Sequence, residues 1–90
     1  MEQVKDEIML EILAGIQPLQ AECLKRGYSM HVDANIHDNF WGEGTHISFD
    51  VAIYSGNSFI KSFDFTALDT EAVNRARVHL LDAYIKTLRS

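Results

Sequence analysis

The sequence predicts an α+β fold of two layers in the order α-β-β-β-α. A three-stranded antiparallel sheet would carry both helices on one face. Three observations lead there. Stretches 28–36, 46–53 and 59–65 each place apolar residues at every second position, the period of a half-buried strand. The segments before and after them repeat apolar residues at steps of three and four, the period of an amphipathic helix. Ser55-Gly56-Asn57 between the second and third stretches is a tight hairpin signal.

The first helix is expected over residues 3–26. Val4, Ile8, Ile12, Ile16, Leu19 and Cys23 form its stripe, widened by Met9, Leu13 and Leu24. Lys25 and Arg26 suit a helix C-terminus, and Gly27 supplies the left-handed stop. Pro18 follows Gly15 and removes the amide that would bond back to Ala14. A kink near residues 14–18, or two helices in series, is the expectation.

In the first strand Tyr28, Met30, Val32, Ala34 and Ile36 face the core, and Ser29, His31, Asp33, Asn35 and His37 face away. In the second, Ile47, Phe49, Val51 and Ile53 face in, while His46, Ser48, Asp50, Ala52 and Tyr54 face out. In the third, Phe59, Phe63 and Phe65 face in with Lys61 among them, and Ile60, Ser62 and Asp64 face out. Lys61 either snorkels at the sheet edge or is placed by a bulge near Ile60 that shifts the parity. The longer turn, 38–45, contains Phe40, Trp41, Gly42 and Gly44. The last helix is expected to start at Asp69 as N-cap, with Leu68 and Val73 as a hydrophobic staple. Its stripe reads Val73, Ala76, Leu80, Leu81, Tyr84 and Leu88.

At 90 residues, 47% of them hydrophobic, the chain is expected to be one folded domain spanning 1–90. The charged N-terminus has no apolar run behind it, and one cysteine excludes an internal disulfide, so the expected compartment is cytoplasmic. Residues 27–68 hold five acids (Asp33, Asp38, Glu43, Asp50, Asp64) and one base, Lys61, and so supply most of the net charge of -5. Phosphate backbones need clustered cations, so this acidic sheet disfavours nucleic acid as a partner.

Candidate sites follow from the outward rows. A register set by the inner rows puts His37 beside His46, Asn35 beside Ser48 and Asp33 beside Asp50, with Asp64 next to Ser48. Imidazoles and carboxylates are metal-ligand types, which makes His31, Asp33, His37, His46 and Asp50 the candidate ligands. The plainer reading is a solvated sheet face, and no cofactor is expected. Phe40 and Trp41, in a glycine-flanked turn, suit partner contact, or they close the end of the core. Tyr54 and Ile60, with Ala52, make an apolar patch of the kind that meets a second copy. Cys23 lies on the buried stripe and reads as an inert thiol. No phosphate loop, zinc pair or nucleophile elbow is present, so no enzyme is expected.

The element order also resembles the double-stranded RNA-binding domain. Gly44-Thr45-His46-Ile47-Ser48-Phe49 resembles that family's histidine-containing loop and second strand. Glu71-Ala72 and Arg75-Ala76-Arg77 resemble its alanine-rich last helix. The family's lysine cluster at the start of that helix is replaced by Asp69-Thr70-Glu71, and its loop proline is absent. The resemblance therefore implies the shape without the phosphate-binding surface. Three functional expectations result: a non-enzymatic interaction module, homodimeric and with an unknown protein partner; a metal or small-ligand binder; and a nucleic-acid binder using Arg75, Arg77, Lys86 and Arg89.

Overall fold

The computed structural model describes the backbone of residues 6–38 and 45–89, and the side chains of residues 7–35 and 47–89. The order is α1 (Asp6–Lys25), β1 (Ser29–Asp38), β2 (Thr45–Ser55), β3 (Ser58–Thr66) and α2 (Glu71–Thr87). The strands form one antiparallel sheet in the order β1-β2-β3. Both helices lie on its inner face, as the apolar rows require. Val4, Phe40 and Trp41 fall outside the described residues.

α1 is a single helix that runs through Pro18, not two in series. Met9, Ile12, Ile16 and Cys23 are buried against the sheet. Leu24, expected on that stripe, is instead 73% exposed. Its place on the helix, one residue past Cys23, turns it off the core towards the free edge of β1. The helix stops as Gly27 predicted. Gly27 has φ +87, its amide donates to the Leu24 carbonyl, and the Tyr28 amide donates to the Cys23 carbonyl, the paired bonds of a Schellman motif.

The two helices run parallel. Glu11 meets Arg75 near their N-termini at 3.7 Å. Arg26 meets the end of α2 at the other extremity, where its Nη1 donates to the Leu88 carbonyl at 2.9 Å and its Nε to Glu22 at 2.9 Å. Arg26 therefore sits at the negative ends of both helix dipoles.

α2 differs from the sequence reading in phase. Its N-cap is Thr70, whose Oγ1 accepts from the Val73 amide at 3.2 Å. Asp69, the expected cap, is held by Arg77 at 2.7 Å. Leu68 and Val73 are exposed and form no staple. The buried residues are Asn74, Leu81 and Ile85, with Val78, Tyr84 and Leu88 partly buried. Val73, Ala76 and Leu80 face solvent. The helix is rotated so that Asn74 reaches β3. Its Oδ1 accepts from the Thr66 amide at 3.1 Å, and its Nδ2 donates to the Thr66 carbonyl at 2.9 Å and the Thr70 carbonyl at 3.1 Å.

The register of β1 on β2 is the expected one, with His37 opposite His46, Asn35 opposite Ser48 and Asp33 opposite Asp50. On the other side Asp64 faces Asp50 and not Ser48, which pairs with Thr66. Ladder parity follows from one bond. The Ala67 amide donates to the Ile47 carbonyl, so Ile47, Phe49, Val51 and Ile53 direct their backbone groups to β3. The alternate residues of β2 serve β1. The outward backbone groups of the sheet are then those of Met30, Val32 and Ala34 on β1, and Ser62, Asp64 and Thr66 on β3.

β3 contains a bulge. Ile53 faces Lys61, but Tyr54 faces Phe59, so Ile60 is the extra residue. Two demands collide here. A two-residue turn at Gly56-Asn57, with Gly56 at φ +62 and Ser55 opposite Ser58, sets one register. Burial of Phe65, with Phe63 and Lys61 following on the same row, sets another, one residue apart. The bulge reconciles them. Of the two sequence alternatives for Lys61 the first holds: it keeps the inner row, exposed, with Nζ 5.7 Å from the Phe63 ring centre, and the bulge shifts the parity of Phe59 instead. Phe59, expected to face in, lies instead on the outer face. Deleting Ile60 should make the ladder regular and leave stability within about 1 kcal/mol of wild type. Deleting Asp64 would turn Phe63 outward and is expected to abolish folding. Thermal melts of the two variants check the contrast.

Candidate functional site on the outer sheet face

The outer face is built by parity. The described β2 residues that alternate with the core row, Ser48, Asp50, Ala52 and Tyr54, stand on the face away from the helices. Asp33, Asp50 and Asp64 form one row across all three strands, each directly opposite the next. One step along, towards the hairpin, His31 faces Ala52, which also pairs with Ser62. Beyond them the His31 and Tyr54 rings meet edge to face at 5.0 Å, and the Tyr54 and Phe59 rings at 5.8 Å. Phe59 is 57% exposed and Ile60 40%. The face thus carries an acidic row at mid-sheet and an aromatic cluster at the hairpin end.

The sequence-predicted residues divide accordingly. Tyr54 and Ile60 stand at the hairpin end, and the structure adds Phe59 and His31 to them. Phe59 escaped the sequence reading because simple alternation placed it inside. A two-residue turn set against the parity of Phe63 and Phe65 is the signal that would have found it. Of the metal candidates, Asp33 and Asp50 are neighbours. His31 meets Tyr54 edge to face, and His37 faces His46 by backbone register, with side chains outside the described residues. Among the described residues, no three His, Cys, Asp or Glu side chains are placed to hold one metal ion.

The basic residues of α2 are engaged within the molecule. Arg75 pairs with Glu71 at 2.6 Å, Arg77 with Asp69 at 2.7 Å, and Lys86 with Asp82 at 3.1 Å. The start of α2, where the RNA-binding family carries its lysines, presents Asp69 and Glu71 with their arginine partners. Each of these three cations therefore stands beside a carboxylate.

Cys23 is fully buried, and burial pushes its thiol above the ordinary value of 9.0, with Arg26 opposing and Glu22 adding to the rise. Such a thiol is unreactive. The unfolded chain ionises first, so Cys23 contributes stability that is complete below the ordinary thiol value and is lost as pH rises through the folded one. The stability difference between wild type and Cys23→Ala should narrow from about pH 8 to about pH 10 in chemical denaturation.

Among the described residues, no helix is long and apolar enough to cross a membrane. Comparison with family models, curated proteins and solved structures returns no match for the chain.

Proposed function

We propose that this chain is a small, non-enzymatic protein-interaction module that self-associates, and that the hairpin end of its outer face is the contact surface for a protein partner. One observation carries the reading: the bulge at Ile60 takes Phe59 out of the core row and sets it beside Tyr54 on the open face. A phenylalanine at 57% exposure next to an exposed isoleucine is apolar area that folding alone leaves in water. Aromatic anchors inside a polar surround are the usual energetic centre of protein contacts. The adjacent acidic row favours a partner that brings basic residues to mid-sheet.

The test is photo-crosslinking in source cells with benzoyl-phenylalanine in place of Phe59. A discrete adduct with another protein is expected, and Tyr54→Ser or Ile60→Ser should remove it. A probe that captures nothing, in a chain that folds normally, overturns the assignment of this face.

A further inference from the structure

The two edges of the sheet are unlike. On β3 the Asp64 carbonyl accepts from Arg77 Nη1 at 3.1 Å, and both backbone groups of Thr66 are taken by Asn74. Among the described residues, the Ser62 groups and the Asp64 amide are the outward positions left before the bulge. On β1 the Met30 carbonyl accepts from Gln20 Nε2 at 2.7 Å, while Val32 and Ala34 direct amide and carbonyl groups outward with no cover from the described residues. An edge of this length is a template for another strand.

The flank of α1 above that edge has its own pattern. The α2 side of α1 carries Glu11, Glu22 and Arg26. The opposite flank carries Leu10, Leu13, Gln17, Ala21 and Leu24, at offsets of minus seven, minus four, zero, plus four and plus seven from Gln17. Leu10 is 54% exposed, and Gln17, Ala21 and Leu24 line an open groove of ≈ 350 Å³ with Tyr28 and Met30 of the β1 side. The spacing is symmetric about Gln17. An antiparallel copy of the helix would meet it with Leu10 on Leu24, Leu13 on Ala21, and Gln17 on Gln17.

From this we infer that a second copy of the chain docks on this edge about a two-fold axis through Val32 and Gln17, joining two sheets into one of six strands. The inference rests on the reading of the chain as an interaction module, but uses a different surface from the aromatic patch. The strand and helix centres agree. Gln20 bonds at Met30, and three helical residues back towards Gln17 is about 4.5 Å, close to the strand distance from the Met30 carbonyl to Val32. α1 packs on both β1 and β2, so its axis lies about half a strand spacing inside the edge. The two-fold then sets the two α1 axes about 10 Å apart, a helix-packing distance.

Charge chooses the register. An axis through Val32 puts His31 of each copy opposite Asp33 of the other, at non-hydrogen-bonded positions where side chains lie closest. The open end of the row Asp64–Asp50–Asp33 is then closed by an imidazole N–H from the second copy. An axis through Asp33 would set two carboxylates face to face, and one through Ala34 would leave Asp33 opposite Asn35.

Sedimentation velocity on the untagged chain, from micromolar to millimolar, tests this. Wild type should dimerise. Leu24→Glu should weaken the dimer at least about a hundredfold, because two copies of Leu24 leave the interface. Asp33→Lys should weaken it, and adding His31→Glu to the same chain should restore it, as no other register predicts. Ala34→Pro, which removes an outward amide, should give a folded monomer. If a variant fails to fold, amide exchange of wild type decides. Val32 and Ala34 should be protected at high concentration and exchange freely when diluted. A wild-type monomer at millimolar concentration overturns the inference and the self-association in the proposed function, and leaves the Phe59 crosslink to another protein intact. So does a dimer that survives Leu24→Glu but is lost in Phe59→Ser. A dimer with the behaviour inferred here but no adduct at Phe59 overturns the assignment of the outer face alone.

Discussion

An Asn74→Leu variant is expected to lose about 3 kcal/mol of stability and to melt on the order of 15 °C below wild type. Leucine fills the same space, so the loss isolates hydrogen bonding from packing. Asn74 is fully buried and pairs with both backbone groups of Thr66, standing where another strand would stand. Removing it leaves an amide and a carbonyl desolvated and unpaired, which costs more than the bonds themselves contribute. Asn74→Asp keeps the acceptor for the Thr66 amide, gains from its place in the first turns of α2, and loses the two donors. It should fall between the two. If the leucine variant melts with wild type, Thr66 has another source of hydrogen bonds and the account of the β3 edge is wrong.

The second large effect is expected at Arg26. Arg26→Met keeps the stem and removes the guanidinium, with a loss of about 2 kcal/mol. The guanidinium bonds to the Glu22 carboxylate and to the Leu88 carbonyl at once, so it ties the end of one helix to the end of the other. The amides of Ile85 to Leu88 should exchange faster in the variant while the centre of α2 is unchanged. Arg26→Lys restores the charge but not the fork, and one ammonium cannot serve both acceptors. Partial recovery is expected. Full recovery by lysine would mean that the dipole, not the bidentate geometry, carries the effect.

Much of the architecture was legible in the residues. Alternation located all three strands and the β1–β2 register, because a slip by one residue would expose Phe49 and Val51. Gly27 ended the first helix as its φ requires. The phase of α2 was not legible. Val73, Ala76 and Leu80 are apolar at helical spacing and yet face water, while Asn74, buried with Leu81 and Ile85, is polar and carries no weight in a hydrophobic pattern. Asp69 and Thr70 are both good caps, and Arg77 decides between them by holding Asp69. Tyr54 was placed on the outer face by parity alone, whereas Ile60 proved to be the bulge residue. Phe59 required weighing the turn against the core, a competition between a local rule and a long-range one.

The side chains on β3 have a consequence for how far assembly can go. A sheet with two bare edges adds copies without end, and the product is a fibre. Here Asn74 and Arg77 occupy the Thr66 groups and the Asp64 carbonyl from within the same molecule, so in the dimer inferred above a copy joined at β1 would present this partly covered side outward on both flanks. Growth would then stop at the first addition. Concentrated protein should scatter light as discrete particles and leave amyloid dyes dark, and weakening Asn74 or Arg77 should be the shortest route to filaments.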